Sequence, residues 1–349
     1  MKNGIKKILK EVSPGTELRK GLENILKAGT GGLIVIGDSE EIRKLTIDGF
    51  EINCDYSPAK LYELAKMDGA IILSYDIKKI LFANSQLTPD PMVSSQETGI
   101  RHRTAERVAK QTGELVISVS QRRKNITLYK GDLRYSILDT SKILIKANQA
   151  IQTLERYKTV LTNAIQNLSA LELDDLSTRF DVAKAIQRTE LFMRVVQEIE
   201  MYMLELGEES RLINMQLTEL THNVKAEGFN TFKDYYRGDE EYSEAYKKIR
   251  AFSEEDIWEL KKISSFIFGN AEALDEYEVP RGYRILSKIP RLPNGIIELM
   301  VKQFGDLNAV LDAQIDDLEM VDGIGEIRAK RITESLKKLH DRAIFENGL

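Results

Sequence analysis

Hydrophobic residues recur along the first 140 positions with two different periods. Leu18, Leu22, Ile25 and Leu26 fall at helical spacing. Thr16 stands where an N-cap would begin that helix, and Gly29 where a left-handed residue would end it. Short apolar runs predict strands at 33–36, 70–74, 80–82, 115–119 and 126–129. Ser57 followed by Pro58 predicts a second helix, running through Met67. Because strands outnumber the helices between them, the pattern predicts an α+β domain over residues 1–140, a mixed sheet flanked by helices.

From Ser141 only the helical period remains. Ile143, Leu144, Ala147, Ile151, Leu154, Leu161, Ile165 and Leu168 predict one long amphipathic helix, and further helical segments continue to about Phe268. Residues 141–285 therefore read as an all-α spine whose Met, Leu and Tyr stripes are packing surface. Residues 237–259 are strongly acidic and predict a solvated face or loop. Prolines at 280, 290 and 293 break the pattern and open a third segment of short helices, 286–349. In it, Leu318 to Leu336 carries a Gly-x-Gly turn leading into a helix with Ile327, Ala329, Ile332 and Leu336 available for packing. Ile289 to Met300 reads as a degenerate first copy of the same hairpin.

The length of 349 residues suits two or three such domains. Fifty Lys and Arg against 55 Asp and Glu, a net charge of −5, names no partner. The one cysteine, Cys54, excludes an internal disulfide and a Cys-rich metal framework, favours a reducing compartment, and is expected to be buried. No apolar run approaches the length of a membrane helix, and the opening lysines are not followed by a signal-peptide core, so a cytoplasmic location is expected. The chain has no Walker A lysine motif, no GxGxxG fingerprint and no HExxH. His222 and His340 lie in polar helical contexts and are expected at the surface.

Local charge is more informative. Residues 101–146 hold eleven Lys or Arg against four acids, a cationic surplus inside an acidic chain. The surplus begins with Ile100-Arg101-His102-Arg103-Thr104, at the start of a predicted helix that follows Thr98-Gly99. A helix N-terminus already carries partial positive charge and N–H groups without acceptors, so cations stacked there favour an arriving phosphate. A plain basic surface turn is the competing reading, and a duplex-binding face is another. Ser120, Arg122 and Arg123 follow a predicted strand, where ligand groups gather. Asp68-Gly69-Ala70 is either a common turn or a carboxylate beside phosphates, placed to hold a divalent ion, with Gly69 letting a nucleotide approach the backbone. Asp322-Gly323-Ile324-Gly325 forms a backbone nest suited to a DNA phosphate, and residues 328–342 carry six Lys or Arg against two acids.

Taken together, MDGAI at 67–71, ETGIRHRTAERVAKQTG at 97–113, the long middle helices and the terminal VDGIGEIRAKRI resemble the DNA integrity scanning proteins. These are bacterial diadenylate cyclases with a helix-hairpin-helix DNA-binding end. The resemblance implies condensation of two ATP to cyclic di-AMP and two pyrophosphates with Mg²⁺ or Mn²⁺. It implies that Asp68 holds the metal, and that Gly69, Ala70 and Leu87 line the nucleoside pocket. Ile100 to Thr104 would grip the phosphates, with Ser120 and Arg123 assisting, and His102 would be a metal ligand or a phosphate donor. It further places Gly323, Ile324 and Gly325 on DNA backbone, with Arg328, Lys330 and Arg331 nearby. Expected partners are branched recombination intermediates, and the expected setting is the nucleoid. One constellation per chain cannot close a two-nucleotide ring, so two sites must face each other; the resemblance implies an octamer. The alternative reading is a non-catalytic, nucleotide-responsive DNA scaffold.

Overall fold

The computed structural model of the protein describes residues 8–122, 124–269 and 273–346. The predicted caps form. Helix α1 (Glu17–Ala28) begins where the Thr16 hydroxyl accepts the Arg19 N–H at 3.2 Å, and ends at Gly29 with φ of 70°. Strand β1 (Gly32–Ile36) follows and is buried throughout. It lies beside β4 (Ala70–Leu73) in parallel and β6 (Leu115–Ser120) in antiparallel register. Outward from β6 come β7 (Asn125–Lys130) and β8 (Leu133–Ile137); on the other side β5 (Lys79–Leu87) follows β4. Strand β5 also pairs with β2 (Thr46–Ile47) and β3 (Phe50–Asp55). The sheet is therefore mixed, as the excess of strands over intervening helices predicts.

Side-chain alternation divides the central strand between two cores. Ile34 and Ile36 pack with Ile71, Leu73, Ile117 and Val119 and with Leu22 and Ile25 of α1. The same core takes Leu61 from α3 (Pro58–Leu64), whose N-terminus is capped by the Ser57 hydroxyl. On the opposite face Leu33 and Val35 pack with Ile72, Val116 and Ile42 of α2 (Glu40–Leu45), and with Ala105, Val108 and Ala109 of α4 (Ile100–Thr112).

Several expectations need correction. Strands β2, β3 and β8 were not apparent in the sequence. β3 is an edge element, mostly exposed and interrupted by an irregularity between Glu51 and Cys54, so its apolar pattern is weak. Cys54 lies on it and is half-buried rather than buried. α3 ends at Leu64, short of Met67.

The described residues form two compact units, Met1–Gln149 with Ile199–Asn214, and Ala150–Glu198 with Met215–Leu349. Helices α5 (Thr140–Leu173) and α6 (Arg179–Leu206) are the long elements that follow the sheet. After α7 (Arg211–Thr221) and α8 (Val224–Tyr235), the acidic stretch is not a plain loop. It holds α9 (Tyr242–Arg250) and α10 (Glu254–Trp258), which bury Tyr246, Ile249 and Ile257. Helix α11 (Leu260–Phe268) completes this region.

The second unit is pinned by ions. Arg284, on the single-turn helix α12 (Tyr283–Leu286), is fully buried. Its guanidinium pairs with the equally buried Glu172 and donates to Ser169 Oγ at 2.8 Å. Asp234, also fully buried, caps α12 by accepting from the N–H groups of Gly282, Tyr283 and Arg284 at 2.8, 2.6 and 3.0 Å. Breaking one member of such a set leaves a buried charge uncompensated.

Beyond α12 the chain repeats a hairpin. Helix α13 (Asn294–Phe304) is preceded by Ile289 to Pro293; α14 (Leu307–Asp312) and α15 (Ile315–Glu319) lead to Val321 to Gly325 and α16 (Glu326–Glu346). The Leu292 N–H reaches Ile289 O in the first hairpin as the Ile324 N–H reaches Val321 O in the second. Arg291, with φ of 62°, occupies the left-handed position that Gly323 takes with φ of 82°. Leu292 and Ile324 are both buried in one core with Met300 and Ile332. The degenerate copy is thus a structural repeat. Ile327, expected to pack, is instead 79% exposed.

Replacing Arg284 with Met is expected to destabilise the second unit by about 3–5 kcal/mol. Differential scanning calorimetry should show one transition moved down and the other unchanged.

Candidate functional site

Strand β4 begins at a tight turn, and its position decides the pocket. Gly69 has φ of 92°, and a Cβ there would stand 2.8 Å from the carbonyl carbon of Asn84. Asn84 itself has φ of 54°, and the β4–β5 register shifts between Ala70 and Ile72. Glycine is required at 69 because the backbone of β5 closes on it.

Helix α4 supplies the other wall. It opens on Gly99, with no side-chain cap and no acid in its first turn. The Arg101 guanidinium lies against Gly31, where a Cβ would come within 2.5 Å of it. The loop before α4 is held to the helix: Ser95 Oγ and the Gln96 N–H donate to Glu106, Arg107 Nε to Val93 O, and Lys110 Nζ to Ser94 O.

These two walls border an open cavity of ≈ 910 Å³. Asp68, Gly69, Ala70, Leu87, Ile100, Arg101, His102, Thr104 and Ser120 all line it, so residues more than fifty positions apart meet in one place. Arg103 does not line it; its guanidinium turns back toward the carbonyls of Glu97 and Thr98 at 3.4 Å. Arg123 lies outside the described residues. Arg122, Asp48, Asn84, Ser85 and Gln86 also line the cavity, so cations, carboxylates and amides share its walls.

The cationic surplus is smaller at the cavity than along the chain. Arg107 and Lys110 bind loop carbonyls, and Arg134 donates to Glu97 Oε1 at 2.6 Å. Among the described residues no group of three or more His, Cys, Asp or Glu is arranged as a metal centre. The Asp68 carboxylate, a single hard oxygen donor at the cavity, fits an ion that keeps water and substrate phosphates as its other ligands, the usual mode for Mg²⁺.

Sequence reasoning missed what stands behind His102. The imidazole, 9% exposed, places Nδ1 3.0 Å from the Tyr129 hydroxyl, which donates to Glu97 Oε1 at 2.9 Å. Burial raises the Glu97 carboxyl, but its hydrogen bonds from Arg134 and Tyr129 outweigh that, and the net shift is downward. Burial, reinforced by Glu97, pushes the Tyr129 hydroxyl up. Glu97 sits inside the ETGIRHRT run, yet nothing in its spacing points to a tyrosine on β7.

At the C-terminal hairpin, Gly323 and Gly325 are exposed, whereas the Ile324 side chain belongs to the core and its N–H is bonded to Val321. Arg328 turns onto the Gly323 carbonyl, Lys330 pairs with Glu326, and Arg331 is exposed. Met320 and Ile327, both largely exposed, flank the hairpin.

The sheet with its helix-start pocket defines a nucleotide-binding domain. Residues 19–133 match the family model for the nucleotide-binding region of the DisA bacterial checkpoint controller, and residues 137–273 its linker region. The DNA integrity scanning protein DisA of Clostridium botulinum (strain Alaska E43 / Type E3) is 52% identical over 346 residues, 99% of this chain and 98% of that one. That of Clostridium kluyveri is 52% identical over 344 residues, 98% of this chain and 97% of that one. A double mutant of DacA from Staphylococcus aureus covers 39% of this chain and 90% of its own, at 20% identity and a TM-score of 0.31. The chain belongs to the DisA family of DNA integrity scanning proteins.

Gly69→Ala is expected to destabilise the sheet-bearing unit by about 1–3 kcal/mol through its positive φ alone, with the contact to Asn84 adding to it. Thermal unfolding followed by calorimetry against the wild type checks this.

Proposed function

We propose that this protein is a diadenylate cyclase that condenses two ATP into cyclic di-AMP and two pyrophosphates, and that its hairpin end couples synthesis to branched DNA. The observation that carries the reading is the meeting of the Asp68-Gly69-Ala70 turn and the uncapped start of α4 in one nucleotide-sized cavity. Membership of the DisA family supports it.

The helix start, Arg101, Thr104, Ser120 and Arg123 bind the triphosphate. Gly69, Ala70 and Leu87 take the nucleoside, which leaves Asp68 beside the ribose. There the Asp68 carboxylate orients the 3′-hydroxyl and receives its proton. Each 3′-oxygen forms a bond to the α-phosphorus of the nucleotide opposite, while the bridging α–β P–O bond breaks and pyrophosphate leaves with the electron pair. A divalent ion, Mg²⁺ or Mn²⁺, held by Asp68 with phosphate oxygens, offsets phosphate charge when bound. Two attacks require two pockets face to face, so the reading includes assembly through the sheet-bearing units, with an octamer as its proposed size. No described helix is long and apolar enough to cross a membrane; the proposed setting is the cytoplasm, at the nucleoid.

At the other end, the Gly323–Gly325 turn and the first turn of α16 present backbone to a DNA phosphate, with Arg331 as the exposed cation beside it. Ile324 acts by holding the turn to the core, and Arg328 and Lys330 act near the phosphate rather than on it.

Purified protein given ATP and Mg²⁺ or Mn²⁺ is expected to release cyclic di-AMP, resolved by chromatography. Asp68→Asn should lower turnover by at least about 10²-fold with an unchanged melting temperature. ATP recovered intact from the wild type would favour a non-catalytic scaffold. Saturating Holliday junctions are expected to slow synthesis, and Arg331→Glu to raise the junction concentration needed; turnover indifferent to junctions removes the coupling.

A further inference from the structure

We propose that Glu97 and Tyr129 are positioning residues that fix the tautomer of His102, so that Nδ1 always carries a proton and the lone pair of the neutral ring stays on Nε2. The inference rests on the cyclase reading for its kinetic consequence, and on geometry alone for its structural one.

The hydrogens of the relay can be counted. Glu97 has no proton to give while ionised, and the guanidinium of Arg134 at 2.6 Å keeps it so. Its Oε1 therefore accepts from Tyr129, at 2.9 Å. A phenol has one hydrogen. With it directed at Glu97, the Tyr129 oxygen can only accept from the imidazole 3.0 Å away, which makes Nδ1 an N–H. The neutral form with its proton on Nε2 would set two acceptors against each other inside a buried contact. The neutral ring thus holds its lone pair on Nε2 and the protonated ring an Nε2–H, on a residue that lines the cavity. The first state suits a metal ligand and the second a phosphate donor, and the same relay prepares both. The logic is that by which an outer carboxylate orients a ligating or catalytic histidine.

The chain's three histidines make the test direct. With His222 and His340 replaced by Gln, ¹⁵N magic-angle-spinning spectra of the full-length protein observe His102 alone. The neutral wild-type ring should show Nδ1 protonated and Nε2 bare. Glu97→Ala leaves the Tyr129 hydroxyl free to turn toward Nδ1, and the proton should appear on Nε2. Tyr129→Phe keeps the ring packing and should leave a mixture of tautomers. Both variants should lower kcat by about 10- to 100-fold with the KM for ATP unchanged. A merely structural network would lower the melting temperature of the variants and leave the tautomer as it was, which would overturn the inference. So would a wild-type ring protonated on Nε2. A wild-type protein that makes no cyclic di-AMP would defeat the cyclase reading, whereas the spectra would still decide the relay.

Discussion

A helix that begins on glycine, with Arg, His and Arg in its first turn and neither a side-chain cap nor an acid there, concentrates positive potential at its start, which costs stability. In α4 that cost is held in place by everything around it. Ala105, Val108 and Ala109 bury one side of the helix against the central sheet, and Glu106, Arg107 and Lys110 tie the preceding loop to it. Arg101 is seated against Gly31, where any side chain would displace it. The potential is therefore fixed in position before a ligand arrives, as electrostatic binding and catalysis both require.

The opposing wall depends on backbone rather than charge. Gly69 and Asn84 both adopt left-handed conformations where β5 crosses the start of β4, and that crossing sets Asp68 at the rim of the cavity. The strand beside it is therefore reason enough for the glycine of the DGA turn, whatever approaches it from the cavity. In the same way, the positive φ shared by Arg291 and Gly323 identifies the two C-terminal hairpins as copies of one unit, although only the second keeps its glycines.

What could be read from the sequence was whatever is local. Thr16, Ser57 and Gly29 mark helix ends by hydrogen bonds within three residues, and the central strands declare themselves as apolar runs because both faces are buried. The pocket-lining motifs were legible for a similar reason, since each is a short run around a turn or helix start. What escaped is long-range. Edge strands β2, β3 and β8 exist through pairing rather than through their own hydrophobic pattern. Counting Arg134 as free charge failed because Glu97 takes it up, and Arg103 was counted into the pocket although its guanidinium turns back to the loop. The Glu172–Arg284–Asp234 cluster joins residues 172, 234 and 284, which no spacing rule connects.

The account requires two competent pockets for every ring closed. Its most direct measurement is cyclic di-AMP output from assemblies in which wild-type subunits are mixed at random with Asp68→Asn subunits, after dissociation and reassembly. Output should fall with the square of the wild-type fraction, because both bonds of the ring need an intact pocket. A fall in simple proportion to that fraction would mean that one subunit completes the product alone, and would contradict the central claim.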